Sequence, residues 1–251
     1  MREIDGLAVR IITPAEGDVR TTGGEPPVVL LHGFVSDGVT DWIAPGTAAA
    51  LAATGRTVVV PDLPGHGASA DPVDAAEMGA GALTGRLLAA LDALGVGEFD
   101  LVGYSLGARL AWEFPAVAPG RVGRVVLGGL SPREPFAAVD VEALHRAVAG
   151  GGEPEDPFTG MVAGLVRSRG DRAPALARCV EGLRNTPFAP GGWAGRVAPV
   201  VVVGADDVMT RGIESIVAPL DGAELVTVPG DHLGAVAGAE FRRVVLKALA
   251  R

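Results

Sequence analysis

An α/β fold, with a doubly wound and mostly parallel sheet interrupted late by a helical insertion, is the architecture that the sequence predicts. Three observations point to it. Short runs made almost wholly of aliphatic residues, such as Val28-Val29-Leu30-Leu31 and Val200-Val201-Val202-Val203, have the composition of strands covered on both faces. Ala- and Leu-rich segments of helical pattern alternate with them, which implies right-handed crossovers between parallel strands. The strand pattern then stops after Leu127 and resumes only at Pro199. A chain of 251 residues is of a size that such folds use as a single domain, with or without an insertion.

Taken in order, Leu7 to Ile12 reads as a first strand at the sheet edge, and the Gly-, Pro- and Thr-rich connection Thr13 to Pro27 has room for one more short strand. Val28 to Leu31 is a buried strand that delivers the turn His32-Gly33-Phe34 at its carboxyl end. A helix over Ala44 to Ala53, a strand over Thr57 to Val60 and the loop Pro61 to Ser69 follow. From Ala75 to Leu94 the pattern is helical, closed by Gly95 and Gly97, which can take the left-handed conformation at a helix end. An apolar run containing Phe99, Leu101 and Val102 leads into Gly103-Tyr104-Ser105-Leu106-Gly107 and a helix from Leu106 to Phe114, where Pro115 predicts a kink or an early stop. Val122 to Leu127 is the next strand. Helices are expected over Val139 to Val148, Phe158 to Arg169 and Ala173 to Arg184. A strand over Pro199 to Gly204, a short helix over Ile213 to Pro219, a strand over Leu225 to Val228 and an amphipathic helix over Phe241 to Ala250 complete the chain.

Composition narrows the function. Apolar residues make up 48% and aromatics only 4%, so the core is built from Ala, Val and Leu. The net charge is −9, and no block of Lys or Arg offers a surface to track phosphates, which argues against a nucleic-acid partner. The single cysteine, Cys179, excludes an intramolecular disulfide and a Cys-rich zinc site and reads as a packing residue. The first residues lack the apolar segment of a signal peptide and no run approaches the ~18 apolar residues of a membrane span. A cytoplasmic location is therefore expected. No feature sets an oligomeric state.

The chemistry centres on Ser105. A serine forced onto a tight strand-to-helix turn needs neighbours without side chains, and Gly103 and Gly107 supply them. Glycine is so abundant, 37 of 251 residues, that chance would place such a motif in roughly one chain in eight of this composition. Its partners must therefore be found. A serine needs a base, and the base an orienting group. Of the four histidines, His32 and His66 precede Ser105 in tight turns and His145 lies in the helical insertion, which leaves His232, just past the strand Leu225 to Val228. The acid belongs between Ser105 and His232 at a strand terminus, where Asp206 and Asp207 both qualify; Asp231 is too close to the base to fold back onto it. Donors for an oxyanion are the backbone N–H groups of Leu106 and of Phe34. His32 is expected to hold its own turn.

This set of motifs resembles the α/β-hydrolase superfamily over almost the whole length. His32-Gly33-Phe34 is similar to its oxyanion turn, Asp62 to Ser69 to its structural loop, Gly103 to Gly107 to its nucleophile elbow, Gly204-Ala205-Asp206-Asp207 to its acid turn and Gly230-Asp231-His232 to its histidine turn. The resemblance implies an α/β-hydrolase core formed by residues 1–130 and 197–251, with a helical cap, residues 131–196, inserted after the sixth strand. It favours Asp207 as the acid. Phe136, Phe158, Met161, Leu165 and Trp193 are candidates for lining a pocket under such a cap. The chain departs from the family in carrying Ala108 where a glycine often follows the elbow, and in having Pro115 within the elbow helix.

The expected activity is that of a serine hydrolase, a carboxylesterase-type enzyme cleaving an ester, lactone or thioester of a small molecule with no metal or organic cofactor. Ser105 attacks, His232 moves the proton and Asp207 orients His232. An aspartate nucleophile would have suggested epoxide hydrolase or haloalkane dehalogenase chemistry instead. The segment Gly103 to Arg109 also resembles the elbow of the succinyl-hydroxycyclohexadiene-carboxylate synthases of menaquinone biosynthesis, which would make the reaction an elimination and give Arg109 a substrate carboxylate to hold. A cofactor-free haloperoxidase or perhydrolase and a non-catalytic ligand-binding protein are the remaining alternatives. Tyr104, Arg109 and Trp193 are the candidate substrate contacts.

Overall fold

The computed structural model describes residues 1–14 and 24–250. Eight strands form one sheet in the order β1-β2-β4-β3-β5-β6-β7-β8. They are β1 (Arg2–Ile4), β2 (Leu7–Ile12), β3 (Val28–Leu31), β4 (Val58–Pro61), β5 (Phe99–Tyr104), β6 (Val122–Gly128), β7 (Val200–Gly204) and β8 (Glu224–Val228). β1 pairs with β2, and β2 with β4, in antiparallel fashion; every other pairing is parallel. The chain steps outward from β3 to β4 and then crosses back to β5 on the other side of β3, so the winding direction switches between β3 and β5. Crevices at such switch points, outside the carboxyl ends of the strands, are where α/β sheets bind ligands.

All residues of β3, β4 and β5 are buried, as the aliphatic runs of β3 and of Val58 to Val60 require; the one buried charge in β5, Asp100, is paired with Arg56 at 2.7 Å. Alternation of side chains divides the core between the two faces. Val29, Leu31, Val59, Leu101 and Leu127 join a cluster with the helices α2 (Ala80–Ala93) and α3 (Leu106–Val117). Val28, Leu30, Val58, Val102 and Val202 join another with α1 (Thr47–Ala52) and the terminal helix, Ala239–Leu249. Between β6 and β7 lie three helices, α4 (Val141–Val148), α5 (Pro157–Arg167) and α6 (Ala173–Asn185). Asp140 and Asp156 cap the first two by accepting the N–H of Ala143 and Thr159. Their apolar faces merge with the α2–α3 cluster. Cys179 is sealed inside it, where burial pushes the thiol up to about 12 and keeps it unreactive. Two further short helices, α7 (Glu214–Val217) and α8 (Gly234–Ala237), and the terminal helix α9 (Ala239–Leu249) complete the set.

Several details differ from the sequence reading. The strand Leu7–Ile12 is not an edge: β1 covers its outer side through a hairpin at Asp5-Gly6, both residues having positive φ (49° and 74°). That dipeptide is itself a hairpin signal. The helix expected over Ala44 to Ala53 is shortened to α1, because Gly46 sits at φ 84° and breaks the run, and a π-type turn over Val39–Ile43 precedes it. Helix α3 does not stop at Pro115 but continues to Val117. Proline lies in its last turn, where a single backbone bond is forfeited and the Ala118 N–H still closes on Phe114 O at 2.8 Å. Of the two glycines after α2, only Gly95 is left-handed (φ 71°). The extra strand considered between Thr13 and Pro27 falls largely on residues 15–23, outside the described residues.

Candidate functional site

Ser105 sits between the end of β5 and the start of α3 at φ 53°, ψ −113°, a conformation L-residues avoid. The flanking glycines are sterically required. A Cβ on Gly103 would lie 2.2 Å from Gly107 O, and one on Gly107 would lie 2.0 Å from Leu31 O in β3. No side chain fits at either point, so the two glycines permit the turn that exposes Ser105 at the switch point. The Ser105 N–H is tied to Gly128 O at the end of β6 (2.8 Å).

His232 reaches the serine from the loop after β8. Gly230, at φ 110°, turns the chain, and its carbonyl accepts the Asp206 N–H (3.1 Å), so the loops after β7 and β8 are stitched together. His232 Nε2 lies 2.9 Å from Ser105 Oγ and His232 Nδ1 lies 2.7 Å from Asp207 Oδ2. An ionised carboxylate only accepts, so the ring hydrogen is on Nδ1 and Nε2 is left as acceptor for the serine hydroxyl. Asp207 is itself held: its other oxygen accepts the Met209 N–H at the start of the following turn (2.9 Å). One carboxylate thus both caps that turn and contacts the histidine, while Asp206 faces solvent. Asp231 caps its own turn through the N–H groups of Leu233 and Gly234.

The other wall is the turn after β3. Gly33 packs against the serine so closely that a Cβ there would lie 3.4 Å from Ser105 Cβ, which brings the Phe34 turn to the serine's side. Leu106 opens α3, and its N–H, like that of Phe34, has no acceptor among the described residues. His32 is fully buried and locks the turn: its Nε2 accepts the Leu63 N–H (2.9 Å), which leaves the hydrogen on Nδ1 for Gly33 O (2.8 Å).

Each of the three candidate substrate contacts has partners within the protein. Tyr104 lies beneath His232, donating its hydroxyl to the His232 carbonyl at 2.6 Å, and burial, reinforced by Asp207, raises its pKa. Arg109 is 4% exposed; its Nη1 lies 2.6 Å from Glu134 Oε2 as a close ion pair without hydrogen-bond alignment, and its Nη2 donates to Thr186 O. Both ends of the guanidinium fork are thus occupied by groups of the protein itself. Trp193 stacks edge-on against Trp112 (centroids 5.3 Å apart) and donates to Val197 O. Trp112 is seven residues beyond Ser105 on α3, about 10 Å along the axis. Of the apolar residues considered for a pocket, Phe136 packs edge-on against Phe34 at 5.0 Å, whereas Met161 and Leu165 face outward. A groove of about 560 Å³ between the start of α4 and the end of α6, walled by Asp140, Glu142, Glu181 and Arg184, contributes nothing to Ser105.

Two residues that sequence reasoning missed shape the site. Asp41 accepts from Gly33 and Ser36, and Glu134 pairs with Arg109. Among the described residues no cluster of three or more His, Cys, Asp or Glu side chains could hold a metal ion, and no helix is long and apolar enough to cross a membrane.

Comparison with known proteins agrees with the fold. Residues 26–148 match a family model described as alpha/beta hydrolase fold. A 2-hydroxy-6-oxo-2,4-heptadienoate hydrolase of Pseudomonas putida is 36% identical over 114 residues, 45% of this chain and 41% of that protein. An epoxide hydrolase of Caballeronia sordidicola is 35% identical over 103 residues, 41% of this chain and 30% of its own. These alignments span less than half the length of either curated relative. Among solved structures, an enol-lactonase from Burkholderia xenovorans LB400 superimposes with a TM-score of 0.73 over 98% of this chain and 96% of its own, at 22% identity. An esterase from Thermogutta terrifontis does so with a TM-score of 0.72 over 96% and 92%, at 21% identity. At such identities the likeness speaks for the fold.

Proposed function

Because the chain belongs to the α/β-hydrolase superfamily, we propose that it is a serine hydrolase that cleaves a carboxylic ester or lactone through an acyl-enzyme. The observation that carries this reading is the unbroken line of contacts from Asp207 Oδ2 to His232 Nδ1 (2.7 Å) and from His232 Nε2 to Ser105 Oγ (2.9 Å), ending on a serine in a strained turn. The relative described as a 2-hydroxy-6-oxo-2,4-heptadienoate hydrolase supports it at the level of reaction class, and the esterase and enol-lactonase structures at the level of the fold.

In this mechanism Ser105 Oγ attacks the carbonyl carbon while its proton passes to His232 Nε2. The imidazolium so formed is stabilised by the Asp207 carboxylate at Nδ1. The carbonyl oxygen, now an oxyanion, takes the two unengaged N–H groups of Phe34 and Leu106; the first is on a turn braced by His32 and the second at the head of α3. Collapse of the tetrahedral intermediate expels the alcohol, protonated by His232, and a water activated by the same histidine hydrolyses the ester of Ser105. Tyr104 steadies the base by holding its backbone carbonyl. Residues 131–196 act as a cap whose Phe136 borders the site beside Phe34. The elimination alternative relied on Arg109 to bind a substrate carboxylate, and the pairing of Arg109 with Glu134 weighs against it.

The test is turnover of p-nitrophenyl esters of increasing acyl length and of simple lactones, together with labelling by a fluorophosphonate. Ser105→Ala is expected to fold and to lose kcat by at least about 10⁴-fold and to lose the label. Turnover by that variant within tenfold of the native protein would sink the proposal.

A further inference from the structure

Val35, a β-branched residue, lies at φ 54°, in the left-handed region that such residues avoid. It directly follows Phe34, whose N–H the proposed mechanism uses. A turn that runs against the preference of its own residue must be held from outside. The holder is visible. Asp41, only 6% exposed, accepts the Gly33 N–H on Oδ2 (2.8 Å) and the Ser36 hydroxyl on Oδ1 (2.5 Å). Its two oxygens grip the chain on either side of Phe34-Val35. The remaining bond across the turn, Ser36 N–H to Gly33 O, is long at 3.3 Å.

Asp41 is in turn fixed to the body of the protein. The next residue, Trp42, is fully buried against Phe241, and upstream the Gly38 N–H is held by Asp62 (2.9 Å). The π-type turn Val39–Ile43 that carries Asp41 is therefore a rigid bracket, and the turn from Gly33 to Ser36 hangs from it. Neither Asp41 oxygen has the Phe34 or Leu106 N–H as a partner, so the carboxylate leaves both donors free. We propose that Asp41 is a positioning residue for the serine-hydrolase reaction: by clamping Gly33 and Ser36 it keeps Val35 left-handed and so aims the Phe34 N–H at the oxyanion. This rests on the proposed function and adds to it the group that preorganises one of its two donors.

The inference distinguishes a clamp from a merely stabilising contact. Without Asp41, Val35 relaxes towards negative φ and the Phe34 N–H swings away, which affects the transition state more than the bound ester. Asp41→Ala is expected to lower kcat for a p-nitrophenyl ester by on the order of 10²-fold, the loss of one oxyanion donor, with KM within about threefold of native. Asp41→Asn, whose carbonyl can accept from Gly33 while its amide donates to Ser36 Oγ, is expected to keep kcat within about fivefold. Adding Val35→Gly to Asp41→Ala removes the residue that resists the turn, and is expected to restore kcat at least about tenfold. A purely structural role would leave no such rescue.

The measurement is steady-state kinetics on variants that melt cooperatively, with Ser105→Ala alongside. A native-like kcat in Asp41→Ala, a loss expressed in KM alone, or the same loss with and without Val35→Gly overturns the inference. If Asp41→Ala does not fold, Ser36→Ala, which removes one arm of the clamp, carries the same test with an expected loss of about tenfold in kcat; an unchanged kcat then overturns it. An inactive Ser105→Ala beside a fully active Asp41→Ala defeats this inference alone. An active Ser105→Ala, or no ester turnover by the native protein, defeats the hydrolase reading and this one with it.

Discussion

Arg109→Met tests whether the guanidinium serves the fold or the substrate. Its side chain and that of Glu134 are 5% and 3% exposed, and burial, the largest influence, lowers the Arg109 pKa while Glu134 and then Glu113 pull it back. Burial likewise raises the pKa of Glu113 against the pull of Arg109. Removing one partner of a buried pair typically costs 3–5 kcal/mol, because the other charge is left in a poor medium. Here Glu134 would still accept the N–H groups of Phe136 (3.1 Å) and Phe188 (3.2 Å), which places the expected loss at the lower end, about 3 kcal/mol. Thr186 O would lose its donor as well. For a chain of this length that corresponds to a fall of about 6–12 °C in Tm. The double variant Arg109→Met, Glu134→Gln removes both charges and is expected to recover about 2 kcal/mol of that loss, since a buried pair replaced by neutral groups is close to break-even. Urea unfolding of the four proteins supplies the cycle. Kinetics on a neutral ester and on one with a terminal carboxylate supply the second readout, and the ratio of their kcat/KM values should not move. A variant within about 1 kcal/mol of native stability that loses kcat/KM only for the anionic ester would refute the assignment and return Arg109 to the substrate.

Two further variants probe the frame around the site. His66 is buried, its Nδ1 donates to Pro64 O, and burial, followed by the nearby His32, depresses its pKa from 6.5 to about 3. The native state therefore keeps this ring neutral while the unfolded chain takes a proton below pH 6.5. Its contribution is intact above that pH and is lost as pH falls towards about 3, at about 1.4 kcal/mol per unit. His66→Asn should flatten the acid limb of stability by that slope when urea midpoints are compared from pH 7 to pH 4; parallel curves would refute the depressed pKa. Gly107→Ala forces a Cβ to 2.0 Å from the Leu31 carbonyl in the middle of the sheet, where no flexible side chain can yield. It is expected to cost at least about 3 kcal/mol and the ester turnover with it, and a melting temperature within about 2 °C of native would contradict the close approach.

What the sequence could and could not disclose follows from how each part is encoded. The strands β3 and β7 are runs of aliphatic residues because both of their faces are largely covered, and that is a property of composition alone. The spatial grouping of Ser105, His232 and an acid after β7 was also legible, since the proposed attack and proton transfer restrict the residue types and the topology restricts their order. Between Asp206 and Asp207 composition had no preference; what separates them is direction, one carboxylate facing solvent and the other turned inward to Met209 and His232. The hairpin β1–β2 was readable from Asp5-Gly6, both left-handed, but its three-residue first strand offers too few positions for a periodic signal.

The supporting contacts are encoded differently. Asp41 meets Gly33 and Ser36, and Glu134 meets Arg109, across loops with no helical or strand period, so no spacing announces them. They also demand little of residue type, because any well-placed acceptor satisfies a backbone N–H, whereas an attacking group and a base are chemically irreplaceable. The electrostatic consequence is more specific. A carboxylate beside an oxyanion would oppose catalysis if it competed for the same donors, yet the Asp41 oxygens are committed to Gly33 and Ser36, one residue before Phe34 and two after it. Asp41 can therefore brace the turn with strong, charge-assisted bonds while its charge is spent on groups that do not face the reacting carbonyl. The same logic governs Asp207, whose second oxygen is occupied by Met209 so that only one is turned to His232. In both cases a carboxylate is used at two points at once, and each contact fixes the direction of the other.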